Sequence, residues 1–143
     1  MKVLTTTLYL IVIFLSISCS SYKSNQTVKS KTILNDIWVL HSIKSKIYDK
    51  SSVKHPYLEI NISEKKIYGN DGCNRIRGSI KHITNKTIEF TDIAKARMRC
   101  PNMEMTNKYL RLLQKTRYFK IQNLHLTLLD SDKNIIMRFS KAD

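Results

Sequence analysis

The sequence predicts an α+β fold: a small, mostly antiparallel β-sheet or partly closed barrel packed by one helix at about residues 103–115. Three observations carry that prediction. Short segments rich in Ile, Leu, Val, Tyr and Phe alternate with polar residues at period two and recur along most of the chain, as half-buried strands do. Clusters of Asn, Asp, Ser and Lys separate them at hairpin spacing. A single stretch places its apolar residues at helical spacing instead.

Taken in order, the folded region opens near Asn35, and residues 37–43 are dense in β-formers and hold the only tryptophan. This predicts a core strand with Trp38 as its anchor. Pro56 precedes a segment in which Leu58, Ile60 and Ile62 alternate with Glu59 and Asn61, so one face is buried and the other wet. Residues 65–68 follow after a short polar turn and predict an antiparallel hairpin. Residues 79–83 and 87–90 read as two more strands around a polar turn at 84–86. Beyond Asp92 the segment to Cys100 is open between helix, favoured by Ala94 and Ala96, and extended chain, which brings Cys100 beside Cys73. Pro101 and Asn102 lead into residues 103–114, where Met105, Tyr109, Leu112 and Leu113 form the apolar stripe of a helix that covers the sheet. Residues 118–121, 124–129 and 135–139 close the chain as three strands, the last two joined by a turn at 130–134.

Residues 69–78 hold every glycine in the chain: Gly69, Gly72 and Gly78. Glycine costs conformational entropy, so its confinement here marks positions of positive φ or of close approach by another backbone. Asn70, Asp71 and Gly72 have turn chemistry. A phosphate-cradling loop is the sharper reading, but the Lys and Ser or Thr of a P-loop are missing and no helix clearly follows. Asp71 near Arg75 reads as a turn carboxylate paired with a nearby cation.

The N-terminus has the layout of a bacterial lipoprotein signal: Lys2, an apolar run over residues 3–15, then small Ser16 and Ser18 ahead of Cys19. The run is short of the roughly 20 apolar residues that span a bilayer. Residues 1–18 are therefore expected to be a cleaved leader and Cys19 the lipidation site, the alternative being an ordinary signal peptide with an incidental cysteine. Residues 19–34 read as a flexible basic tether, and residues 35–141 as one domain. Lys23, Lys29 and Lys31 in the tether would each add about 1 kcal/mol of attraction to an anionic bilayer surface. Ser20, after Cys19, resembles lipoproteins forwarded to the outer membrane, so the expected location is its periplasmic face.

With Cys19 assigned to attachment, Cys73 and Cys100 are an even pair, which in an exported chain points to one internal disulfide. Closing that loop stabilises a fold by about 3.5 kcal/mol in the chain-entropy model. Two buried free thiols are the alternative. The formal charge of +14 points to an anionic partner, either lipid head groups or an envelope polymer, and export sets nucleic acid aside. Its blander account is an Ile-, Lys- and Asn-rich composition with a solvated basic surface. His41, His55, His82 and His125 are scattered and the cysteines lack paired zinc-site spacing, so neither metal nor cofactor is expected. No nucleophile with an oriented base and no facing pair of carboxylates is recognisable, so no catalytic residue is assigned. The sequons at Asn25, Asn61 and Asn85 carry little meaning in a bacterial lipoprotein.

The chain resembles the META domain, or HslJ-like, family of small envelope proteins. The resemblance runs from Trp38-Val39-Leu40 through Tyr68-Gly69-Asn70-Asp71-Gly72-Cys73-Asn74, Gly78 and Met98-Arg99-Cys100-Pro101 to Tyr109-Leu110 and Leu126-Thr127-Leu128. Gly72-Cys73-Asn74 is its most specific part, and Trp38, Gly69, Gly72, Asn74 and Gly78 are its core and turn positions. Ala96 departs from the threonine usual two residues before the methionine. The resemblance implies a compact, mostly β domain with one helix, often membrane-anchored or heat-induced, and no established reaction. The expected role is a non-enzymatic envelope lipoprotein, structural or binding, in stress tolerance. The alternative is an inhibitor or chaperone-like module with an exported protein partner. A lysozyme target fits poorly because lysozymes are usually basic too.

Overall fold

The structure, a computed structural model, describes residues 33–47, 55–101 and 103–142. The expected leader, Cys19 and most of the tether lie outside the described residues. Nine strands are ordered β1 (Ile37–Ile43), β2 (Lys46–Ile47), β3 (Tyr57–Asn61), β4 (Lys66–Asn70), β5 (Arg75–Ile83), β6 (Ile88–Lys95), β7 (Tyr118–Gln122), β8 (His125–Leu129) and β9 (Ile135–Lys141). Helix α1 (Met103–Lys115) lies between β6 and β7.

All pairings between strands are antiparallel, in the order β6-β5-β4-β3-β1-β9-β8-β7, with short β2 pairing β1 off this path. Two meanders, β3 to β6 and β7 to β9, therefore meet on the two edges of β1. The sheet curls until its ends touch: Thr87 bridges Tyr118, the Ile88 N–H donates to the Arg117 carbonyl at 3.0 Å, and the Phe119 N–H donates to the Lys86 carbonyl at 2.9 Å. This is the partly closed barrel expected from the sequence, with α1 packed against it.

Period-two alternation explains the single core. Leu58 and Ile60 of β3, Ile67 of β4, Ile76 and Ile80 of β5 and Phe90 of β6 point inward together with Leu126 and Leu128 of β8. Helix α1 adds Tyr109, Leu112 and Leu113, the expected stripe, and the Tyr109 ring meets Phe139 edge-on with centroids 6.4 Å apart. Trp38 is fully buried and its indole N–H donates to the Leu34 carbonyl at 3.0 Å, so its one polar atom is satisfied.

The open segment after Asp92 resolves as strand. β6 continues to Lys95 because Arg77 pairs Ala94 and Ile76 pairs Lys95, and residues 96–100 then leave the sheet without regular structure. The register shifts between Arg77 and Ser79, where Asp92 takes φ 52°. Such a bulge bends the strand and re-aims its side chains.

Candidate functional site

The glycine-rich segment builds one corner of the sheet. The Asn70 side-chain carbonyl accepts the Gly72 N–H at 2.7 Å, and one Asp71 carboxylate oxygen accepts the N–H groups of Cys73 at 2.9 Å and Asn74 at 2.6 Å. The Asp71 N–H in turn donates to the Asn74 carbonyl at 3.0 Å. Gly72 sits at φ 92°, beyond the left-handed region that side-chain-bearing residues tolerate. Asp71 is fully buried, whereas Arg75 is exposed. The expected pairing of Asp71 with a nearby cation is thus replaced: the carboxylate satisfies backbone donors of its own turn.

Cys73 and Cys100 are joined by a disulfide with their Cα atoms 6.1 Å apart. Asn74 makes a second fastening, since its side-chain oxygen accepts the Met98 N–H at 2.8 Å. A third comes from the Ala96 N–H, which donates to the Arg75 carbonyl at 3.0 Å. The loop 96–100 is thereby held beside the start of β5. Its residues Arg97, Met98 and Arg99 are exposed.

Gly69 and Gly78 serve close approach. A Cβ on Gly69 would collide with the Tyr57 carbonyl, and one on Gly78 would lie 3.1 Å from the Thr91 carbonyl oxygen. The Tyr57 carbonyl also accepts the buried Tyr109 hydroxyl at 3.2 Å. Burial, with the Asp71 carboxylate behind it, pushes the Tyr109 phenol far above its ordinary range, so it stays a hydrogen-bond donor.

The outer face of β3 to β6 holds what sequence reading missed. Tyr68 lies directly opposite Arg77, Asn70 opposite Arg75 and Tyr57 opposite Asn70. Tyr57 and Tyr68 are 36% and 40% exposed, which leaves much of both rings in solvent. Small Ala94 and Ala96 border the arginines and leave the surface recessed there. Three depressions follow one another along this face. The first, of about 650 Å³, lies between Tyr57, Arg75 and Met98; the second, of about 470 Å³, between Tyr57, Tyr68, Arg75 and Arg77; the third, of about 360 Å³, between Tyr68, Arg77 and Asp92. Shared lining residues make them one shallow groove. The signal was present as the exposed half of the strand alternation, but period two identifies a wet face without saying which wet residues converge.

The other sequence-selected residues stay apart from this groove or within the frame beneath it. Trp38 is a core anchor, while Gly72, Asn74 and the disulfide hold the corner at the groove's end. Among the described residues no group of three or more His, Cys, Asp or Glu is placed to hold a metal ion, and no helix is long and apolar enough to cross a membrane.

Solved structures with similar folds include an NMR structure of a protein from Burkholderia xenovorans, at 19% identity and TM-score 0.66, covering 89% of this chain and 94% of that one. A second NMR structure is 25% identical with TM-score 0.62, covering 80% of this chain and 95% of that one. A crystal structure of a DUF4847 family protein from Bacteroides vulgatus is 12% identical with TM-score 0.58, covering 80% and 99%. No curated protein matches the chain. The META domain family model matches residues 31–143, which span the corner, the disulfide and the whole curled sheet, and the chain belongs to the META domain family.

Proposed function

We propose that this META-domain chain is a lipid-anchored protein of the cell envelope, held at the membrane through Cys19, with a non-enzymatic binding or structural role in envelope stress tolerance. The observation that carries the reading is the cysteine partition. Cys73 and Cys100 are consumed in a disulfide, leaving Cys19 as the unpaired third, directly after an apolar run. Disulfides persist in oxidising compartments, and a cysteine at the end of a leader is where a bacterial lipid anchor attaches. The corner, the three fastenings of loop 96–100 and the curled sheet support a rigid presenting surface rather than a hinged catalytic cleft.

Intact-mass measurement on the membrane fraction tests the proposal. The expected result is a chain beginning at Cys19 with added acyl mass, and a Cys19→Ala variant that lacks it and leaves the membrane. A mature chain without acyl mass, or an uncut leader in the soluble fraction, rejects it.

A further inference from the structure

We propose that the outer face of β3 to β6 is a binding groove for an anionic polysaccharide chain, a proposal that rests on the envelope reading above. Three features converge on that ligand. The first is charge. Lys66, Arg75 and Arg77 stand on the face, and Arg97 and Arg99 are exposed on the loop fastened beside it, against the carboxylates of Glu59, Asp92 and Glu64, the last accepting from the Tyr68 hydroxyl at 3.4 Å. Ion pairs among the described residues are Lys81 with Glu89 and Lys141 with Asp36, neither of which engages these cations. Lys66 donates to the Ser79 hydroxyl at 3.3 Å, a neutral partner that leaves its charge uncompensated. The arginines face a ligand's carboxylate or phosphate groups, and an arginine fork holds such groups in a fixed plane.

The second feature is the pair of tyrosines. A half-exposed ring offers a flat apolar face to the C–H side of a sugar and a hydroxyl at its rim. Tyr68 is directly opposite Arg77, so an apolar plate and a cation adjoin across one strand pair. Asn70, opposite Tyr57, has its side-chain carbonyl taken by the Gly72 N–H and offers its amide N–H groups, and Ser79, which accepts from Lys66, offers its hydroxyl proton; both suit sugar hydroxyls.

Shape is the third. The three depressions run in line from Met98 to Asp92, which suits a narrow linear chain better than the plane of a bilayer. The line depends on the bulge at Asp92 and on Ala94 and Ala96, where larger side chains would fill it. The groove is rigid for stated reasons: the disulfide and the Asn74 bond fix one end, and the Gly69 and Gly78 contacts hold the strands beneath it close. A rigid site avoids the ordering cost that a mobile one incurs on binding.

Binding is measured on the purified full-length protein in non-ionic detergent, at about 150 mM salt so that only close contacts survive screening. The probes are polygalacturonate, uncharged dextran, glycerophosphoglycerol (the water-soluble head group of phosphatidylglycerol, which the lipid anchor cannot enter) and a single-stranded oligonucleotide. The expected result is preference for polygalacturonate. An R75Q/R77Q variant is expected to bind it about tenfold more weakly, a loss of about 1.4 kcal/mol. Tyr68→Thr is expected to weaken it about threefold without changing the salt dependence, because a ring contact releases no counterions. A K86Q/K120Q variant, altered where β6 and β7 meet, keeps its affinity. Unchanged thermal unfolding and an intact disulfide mass establish that each variant is folded, and Arg77→Lys replaces the double variant if that one is not.

Equal loss in K86Q/K120Q would mean diffuse charge and would overturn the proposal. So would tighter binding to the lipid head group, tighter binding to the oligonucleotide, or no polygalacturonate binding. Since acylation of Cys19 is read by mass and groove binding by affinity, each can fail without the other.

Discussion

The two meanders that flank β1 differ in where they need glycine. In β3 to β6 all three glycines are concentrated, and two of them, Gly69 and Gly78, lie within strands where a neighbouring backbone leaves no room for a Cβ. In β7 to β9 there is no glycine, although the two-residue turn between β7 and β8 holds Asn123 at φ 48° and Leu124 at φ 61°. Lys133, in the next turn, sits at φ 63°. Both meanders thus tolerate side-chain-bearing residues at the usual left-handed angles, Lys65 and Asp92 taking φ 52° in the first. The N-terminal one needs glycine where space is denied and at Gly72, whose φ of 92° lies outside that range. Close approach, more than turn geometry, dictates glycine in this chain. The half that needs it is the half that carries the fastened corner and the groove.

The comparison breaks most visibly at Gly69. An alanine there drives its Cβ into the Tyr57 carbonyl, which is strand backbone and cannot rotate away as a side chain would. Moving it disturbs the Leu58 to Gly69 pairing and the bond from the Tyr109 hydroxyl. Gly69→Ala is expected to lower stability by about 3 kcal/mol, within the range of overpacked cores and lost buried hydrogen bonds. Urea unfolding at constant m-value is the measurement. A loss below about 1 kcal/mol would show that β3 and β4 are not held at this spacing.

At the opposite turn the sign reverses. Leu124 is 60% exposed, so its side chain gains little from packing, while its left-handed backbone costs a side-chain-bearing residue roughly 1–2 kcal/mol. Asn-Gly is the favoured pair for a two-residue turn with both φ values positive. Leu124→Gly is therefore expected to raise stability by about 0.5–1 kcal/mol after subtracting the greater freedom glycine has in the unfolded chain. A higher urea midpoint in this variant beside a lower one in Gly69→Ala is the contrast sought. Destabilisation by Leu124→Gly would mean that the leucine makes contacts worth more than its strain.

What the sequence made legible follows from where the physics is local. Leu58, Ile60 and Ile67 announce their strands by period two, and Met105, Tyr109, Leu112 and Leu113 announce α1 by their spacing, because burial of one face is written directly into those intervals. β2, two exposed residues paired only to β1, has no such interval to read. The extension of β6 to Lys95 was hidden because the bulge at Asp92 interrupts the alternation and leaves Ala94 and Ala96 with the composition of a helix. Glycine scarcity pointed to the corner, but the capping role of Asp71 depends on its burial by chain distant in sequence. The groove was illegible for the same reason: Tyr57, Tyr68, Arg75 and Arg77 sit on three strands, and only their register brings them together.

The seam between the two meanders offers the finest test. Asp36, just before β1, accepts the Ile37 N–H at 2.8 Å and meets the Lys141 ammonium of β9 at 2.7 Å, while its backbone carbonyl accepts the Ile60 N–H of β3 at 3.0 Å. Partial burial raises its carboxyl pKa, but the hydrogen bond from Lys141, the Ile37 N–H and the Lys141 charge outweigh that and hold it below the usual carboxylate range. A carboxyl depressed in the folded state binds its proton more readily once unfolded, so its contribution is full above the unfolded value and fades as pH falls through the folded one. The pair is partly exposed, with side-chain exposures of 38% for Lys141 and 26% for Asp36, which limits it to about 0.5 kcal/mol. Asp36→Asn keeps an acceptor for Ile37 and loses the charge. Its urea midpoint is expected to fall slightly below that of the unaltered chain at about pH 6 and to converge with it near pH 2. A gap that persists in acid would assign the effect to the bond from the Ile37 N–H to the Asp36 side chain, weakened in the amide, and the Lys141 charge would then add nothing to the seam.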